Sequence, residues 1–169
     1  MLKNSNSIKN KMFSVADLFY CILFVLICLF IGYLSSLFQM ESLKEWYPTL
    51  EKSKLTPPSF VFVIVWGILY TFLGISTFLA FKSAKRQGKS SVLIMFFTQL
   101  CFNLLWSIFF FGMRMPLIAF VEIFFLITIT LNMMKVYKRY NFASYLLLYP
   151  YILWIIFATY LNFVIVLKN

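Results

Sequence analysis

The sequence contains no histidine, and only five of its 169 residues are acidic. The missing histidine excludes Ser-His-Asp and Cys-His catalysis, His-ligated zinc and a histidine axial ligand for haem. Charge of either sign is scarce, at 12% of residues against about 25% in soluble domains, while 63% of residues are hydrophobic and the mean hydropathy is +0.90. Neither a water-soluble fold nor a disordered chain fits that balance. The three cysteines, Cys21, Cys28 and Cys101, all fall within apolar runs, and no C-x-x-C occurs. An odd number without metal-ligand spacing supports neither a disulfide framework nor a metal site, so they read as small apolar residues.

What remains is an integral membrane protein. Five apolar stretches, at about 18–38, 59–81, 90–113, 115–134 and 140–167, are long enough to cross a bilayer as helices. None alternates in the manner of barrel strands. Between them lie a loop at 39–58, a short loop at 82–89, a turn at 112–116 and a basic loop at 135–139. None of these connections is long enough for a soluble domain, so residues 1–169 are expected to form one all-α, five-helix transmembrane bundle. The first span is too long for a signal-peptide core and no A-x-A site follows it, so it reads as a retained helix.

Ten basic residues, including Lys3, Lys9 and Lys11 in the N-terminus, fall on one side of these spans and five on the other. The excess predicts a cytoplasmic N-terminus and an outside C-terminus. The net charge of +10 is then a signal of topology and of attraction to anionic headgroups, not of nucleic-acid binding. The Lys-, Asn- and Ile-rich composition, with no transit peptide, points to a bacterial plasma membrane.

Side-chain spacing adds detail. Gly67, Thr71 and Gly74 form a small-residue stripe suited to close helix packing. Phe62, Trp66 and Tyr70 share a neighbouring aromatic face. Gln99, Asn103, Trp106 and Phe110 recur at helical spacing, and their amides should face the bundle interior, either bonded between helices or touching a ligand. Tyr151, Trp154 and Ala158 form a third stripe, where Ala158 either allows helix contact or leaves room for a flat ligand. Glu122 is the one acid inside a span. It is expected to face inward, as a structural acid bonded to Arg114 or another helix, or else as a proton or cation relay.

One combination is more specific. Trp46-Tyr47-Pro48, Pro57-Pro58, then Phe62, Trp66, Leu69 and Tyr70 are followed by Gln99, Asn103, Trp106, Phe111, Gly112 and Pro116. Pro150-Tyr151, Leu153-Trp154 and Phe157-Ala158-Thr159-Tyr160-Leu161-Asn162 complete the series. In this order the residues resemble the signature of the translocator protein family, also called tryptophan-rich sensory proteins or peripheral benzodiazepine receptors. The chain departs from it at Ser53, where the family usually has proline, and at Leu55, where it often has tryptophan; the first is expected to leave the loop less rigid. Phe163 stands where the C-terminal cholesterol motif asks for a tyrosine, which puts sterol binding in doubt.

The resemblance implies a cavity within the bundle, covered by the first loop, that binds porphyrins of the protoporphyrin IX type and related hydrophobic ligands. Trp46, Tyr47, Phe62, Trp66, Tyr70, Gln99, Asn103, Trp106, Trp154 and Ala158 are its candidate contacts, with porphyrin as ligand, no resident cofactor and no metal. The leading expectation is a receptor or sensor. The alternatives are a light- and oxygen-dependent porphyrin-degrading enzyme, in which Trp66 and Trp154 match the tryptophans linked to that breakdown, and a transporter of porphyrin- or sterol-like solutes. Together with the small-residue stripe, the resemblance also implies a homodimer. For the orientation, a reporter active only in the cytoplasm is expected to work when fused before Met1 and to be silent when fused after Asn169.

Overall fold

The computed structural model describes residues 14–169, so Lys3, Lys9 and Lys11 lie outside the described residues. The chain is all-helical, with no strand among the described residues. Helix α1 (Val15–Glu45) starts where Ser14 and Asp17 cap each other: Ser14 Oγ accepts from the Asp17 N–H at 3.1 Å and the Asp17 carboxylate accepts from the Ser14 N–H at 2.9 Å. A 3₁₀ turn at Tyr47–Thr49 follows, then an extended loop to Pro58 and helix α2 (Ser59–Ser83). Helix α3 (Arg86–Ser107) runs into one π turn at Ile108–Gly112. Helix α4 (Pro116–Tyr140), the short α5 (Phe142–Leu147) and α6 (Tyr149–Lys168) complete the chain. Taken together with α6, α5 makes the fifth of five segments long and apolar enough to span a membrane.

Several boundaries differ from expectation: the loop expected at 82–89 shrinks to two residues, because α2 runs to Ser83 and α3 starts at Arg86. The segment 135–139 is not a loop, because α4 continues to Tyr140. Lys138 and Arg139 occupy its last turn, where cations suit the exposed carbonyl end of a helix, and a helix need not stop at the edge of the hydrocarbon. Helix α1 likewise runs seven residues beyond 38, to Glu45. The fifth span is broken at Leu148, just before Pro150, which has no N–H to continue α5. There Asn141 caps α5 by accepting from the Ser144 N–H at 3.1 Å.

The connections are short, so sequential helices run in alternating directions. Helix α1 packs chiefly on α2, α3 on α4, and α4 on α6. Most of α1 faces outward, with Phe24, Cys28, Ser35 and Ser42 as its buried residues. The main core is built from Leu73, Phe78, Val92, Phe96, Tyr137 and Tyr151 with their neighbours. Polar groups inside it are paired: Thr77 shares a hydrogen bond with the Tyr137 hydroxyl at 3.0 Å, and Ser76 Oγ donates to the Ser144 carbonyl at 2.7 Å.

The small-residue stripe of α2 splits into two uses. A Cβ added at Gly74 would lie 2.6 Å from Val25 Cα, so glycine is what lets α1 and α2 touch backbone to backbone. At Gly67 an added Cβ would meet nothing within 4 Å, because this residue faces an internal cavity and not a helix. The packing expected of the whole stripe therefore holds at Gly74 and fails at Gly67. Gly74→Ala is expected to destabilise the purified protein by about 1–3 kcal/mol, the usual cost of overpacking. Gly67→Ala should leave the thermal unfolding midpoint in detergent nearly unchanged.

Candidate functional site

A cavity of 320 Å³ opens within the bundle between α1, α2, α3 and α6. That volume is in the range of small-molecule sites. Aromatic side chains form much of its wall. Trp66 stands 5.4 Å from Tyr70 and 6.0 Å from Tyr151 between ring centres. On the α6 side, Trp154 meets Phe62 edge to face at 5.7 Å. On the α3 side, Trp106 stacks on Phe110 at 5.1 Å with 17° between the planes. The π turn brings the consecutive residues Phe110 and Phe111 to the same wall, 4.7 Å apart.

The inner end of the cavity is closed by a buried hydrogen-bonded cluster. The Tyr70 hydroxyl donates to Asn103 Oδ1 at 2.5 Å, and Asn103 Nδ2 donates to the Tyr151 hydroxyl at 2.6 Å. Gln99 Nε2 donates to the same hydroxyl at 2.5 Å. These bonds join α2, α3 and α6. Tyr70 and Asn103 reach the cavity; Gln99, fully buried, lies behind them and does not line it. The indole N–H groups of Trp106 and Trp154 are buried without a hydrogen-bond partner among the described residues. Both side chains line the cavity with their rings, while the indole nitrogens themselves are closed off from it. Among the described residues no charged side chain is found in the wall.

Helix α1 supplies the wall that the sequence reading missed. Gly32, Ser35, Ser36 and Gln39 face the cavity at i, i+3, i+4 and i+7. The signal was present as small and polar residues at helical spacing within an otherwise apolar run. Gln39 Nε2 donates to Ser107 Oγ at 3.1 Å, which in turn donates to the Ser35 carbonyl at 3.3 Å, tying α1 to α3. Tyr33 and Val63, at 59% and 75% exposed, lie on the rim, so the cavity opens sideways between α1 and α2.

The first loop closes one end, though only Tyr47 of its aromatic pair lines the cavity. Trp46 packs behind it, 5.7 Å from Phe110. Partial burial pushes the Tyr47 phenol above its ordinary range. The loop is also less free than the serine at 53 suggests. Ser53 Oγ shares a 3.1 Å hydrogen bond with the Tyr160 hydroxyl and accepts from the Leu55 N–H at 3.1 Å. The Glu51 N–H donates to Asn169 Oδ1 at 3.0 Å, and Lys52 Nζ donates to the carbonyls of Tyr47 at 2.7 Å and Leu50 at 3.0 Å. Side-chain bonds to α6 do here what a proline ring would do locally.

Of the candidate contacts, then, Tyr47, Phe62, Trp66, Tyr70, Asn103, Trp106, Trp154 and Ala158 come together around one cavity, while Trp46 and Gln99 stand one layer behind it. The family model described as the TspO/MBR family matches residues 24–167. The chain belongs to this family. It is 41% identical over 145 residues to the tryptophan-rich protein TspO of Archaeoglobus fulgidus, covering 86% of this chain and 94% of that protein. The tryptophan-rich sensory protein of Cereibacter sphaeroides is 31% identical over 119 residues, covering 70% of this chain and 73% of its own length. The translocator protein of Homo sapiens is 31% identical over 121 residues, covering 70% and 72%. As a TspO/MBR member with five apolar helices, the chain is an integral membrane protein.

Asn162, within the last family motif, has a structural role. With its amide oxygen toward the Phe120 N–H at 3.1 Å and its nitrogen toward the Pro116 carbonyl at 3.0 Å, it binds α6 to the first turn of α4. Glu122 faces inward as expected, but without the expected Arg114 partner. Arg114 does not reach it, but pairs with Glu41 at 2.9 Å and Glu45 at 3.9 Å, because the extended α1 brings these acids beside the turn. Arg114 holds a left-handed backbone, φ 56°, and these two partners lie on its exposed side chain. Glu122 is 6% exposed, and neither carboxyl oxygen has a partner among the described residues. Glu122→Leu, which removes this unpaired group, is expected to raise stability by about 1–3 kcal/mol in thermal unfolding in detergent. A fall in stability would mean the carboxyl has a partner after all.

Proposed function

We propose that this TspO/MBR protein is a membrane receptor that binds porphyrin-type tetrapyrroles, and related flat hydrophobic molecules, in the cavity between α1, α2, α3 and α6. The observation that carries the reading is the aromatic wall that Phe62, Trp66, Tyr70, Trp106 and Trp154 form around one cavity. An aromatic wall suits offset stacking with a flat ring system. The wall carries no charge, so the acid groups of a porphyrin stay at the mouth while its apolar ring enters. The sideways opening between α1 and α2 lets such a ligand arrive from the lipid phase.

A second reading has its own support. Trp66 lies between Tyr70 and Tyr151, so an oxidisable indole would sit beside a photosensitising ring with two phenols behind it. That arrangement favours light- and oxygen-dependent degradation, with Trp66 and Trp154 as the reacting side chains. Transport of porphyrin- or sterol-like solutes is the third, and Phe163 in place of the motif tyrosine weakens its sterol form. We place the protein in a bacterial plasma membrane with its N-terminus cytoplasmic. A homodimer rests on the family resemblance alone, since Gly74 is used within the chain and Gly67 at the cavity.

Titration of the purified protein with protoporphyrin IX in the dark is expected to quench tryptophan fluorescence saturably. Trp154→Phe should weaken binding by up to roughly tenfold, on the scale of lost stacking. Illumination then separates the readings. Porphyrin absorbance that bleaches with the parent protein but not with Trp66→Phe/Trp154→Phe selects the enzyme, whereas stable absorbance selects the receptor. Folded protein without saturable quenching would overturn both.

A further inference from the structure

A second cavity, of 480 Å³, lies at the opposite end of the bundle from the first loop, where α2 stops, α3 begins and α4 stops. Ser83, Lys85, Gly88, Ser91, Arg139 and Tyr140 line it. Its walls are held by the fold. A Cβ at Gly88 would lie 2.6 Å from the Tyr140 hydroxyl, so the tip of the Tyr140 ring lies against bare backbone at the start of α3. On the other side, Asn141 Nδ2 donates to Ser83 Oγ at 3.2 Å.

Seven basic side chains and a single acid are found at this end among the described residues. That acid, Asp17, is engaged by Lys82 at 2.8 Å. Lys89 lies over the Phe81 ring at 4.6 Å and Lys138 over the Tyr145 ring at 5.0 Å. Lys85 and Arg139, which border the cavity, have neither a hydrogen bond nor an ion pair from their side chains to the described residues. Deeper along the same two helices the surface turns apolar, with Ile94 59% exposed one turn below Ser91 and Leu131 44% exposed two turns below Arg139. Two free cations and three hydroxyls stand at the headgroup level, above a surface that meets acyl chains.

We propose that this cleft binds the phosphate of an anionic phospholipid headgroup, with Lys85 and Arg139 supplying charge and Ser83, Ser91 and Tyr140 supplying hydroxyl donors. A phosphodiester matches a guanidinium fork and an ammonium, and the attraction is strong beside a low-dielectric surface. The site shares no lining residue with the aromatic cavity, so it stands whether or not porphyrin binds there.

The test uses the full chain in neutral detergent, offered equal amounts of phosphatidylglycerol and phosphatidylcholine with matched acyl chains. Retained lipid is then counted by native mass spectrometry. Phosphatidylglycerol is expected to be retained in roughly tenfold preference, and Lys85→Gln/Arg139→Gln to reduce that preference nearly to unity. Lys135→Gln/Lys138→Gln removes the same charge from the same end outside the cleft, and should keep most of it. All four side chains are exposed, so both double variants should fold, as their unfolding midpoints will check. Equal loss in the two double variants would reduce the effect to a diffuse surface potential and overturn the proposal, as would no preference in the parent protein. Millimolar inorganic phosphate is not expected to displace the lipid; displacement would overturn the lipid assignment in favour of free phosphate.

Discussion

Tyr70, Asn103, Gln99 and Tyr151 meet in one buried hydrogen-bonded cluster, and the arrangement of the bundle follows from it. Apolar surface does not drive helices together in lipid, since acyl chains are as apolar as leucine. Position must come from close packing and from polar groups that have no better partner. The Tyr151 hydroxyl accepts from two amides on α3, and Asn103 passes the connection on to Tyr70 of α2. Three helices are thereby held at one level. Above this cluster the helices carry bulky rings that do not fill the space between them, and the cavity is what remains.

The same economy appears elsewhere. Close approach of α1 and α2 depends on Gly74, and at the basic end Gly88 leaves room for the Tyr140 ring. Asn162 spends its amide on the Pro116 carbonyl and the Phe120 N–H in the opening turn of α4. Nearly every polar side chain in the interior is thus committed to holding helices. Among the described residues the buried groups without a partner are Ser35 Oγ, Gln99 Oε1, the indole N–H groups of Trp106 and Trp154, and the Glu122 carboxyl.

The first loop shows how one function can be met by different chemistry. A proline at position 53 would stiffen the chain through its own ring. Serine there stiffens it through a bond to Tyr160, helped by Glu51 with Asn169 and by Lys52 on neighbouring carbonyls. Reading position 53 alone suggests a looser cover. The partners lie over a hundred residues away in sequence, and they determine the outcome.

Much of this was legible from the residues. Five spans, their helical character and the inward direction of Gln99, Asn103 and Phe110 follow from hydropathy and spacing, because bilayer thickness and the cost of a buried amide are the same in any fold. Family motifs named most of the side chains now seen around the cavity. Tertiary structure decided which residues of each stripe reach it. It placed Gly67 at the cavity and Gly74 at a helix contact, set Gln99 and Trp46 one layer back, and drew in a wall from α1 that no motif announced. It also gave Arg114 to Glu41 rather than Glu122. Helical periodicity tells which side chains share a face. Only the packed neighbours tell whether that face meets a helix, a lipid or an empty space.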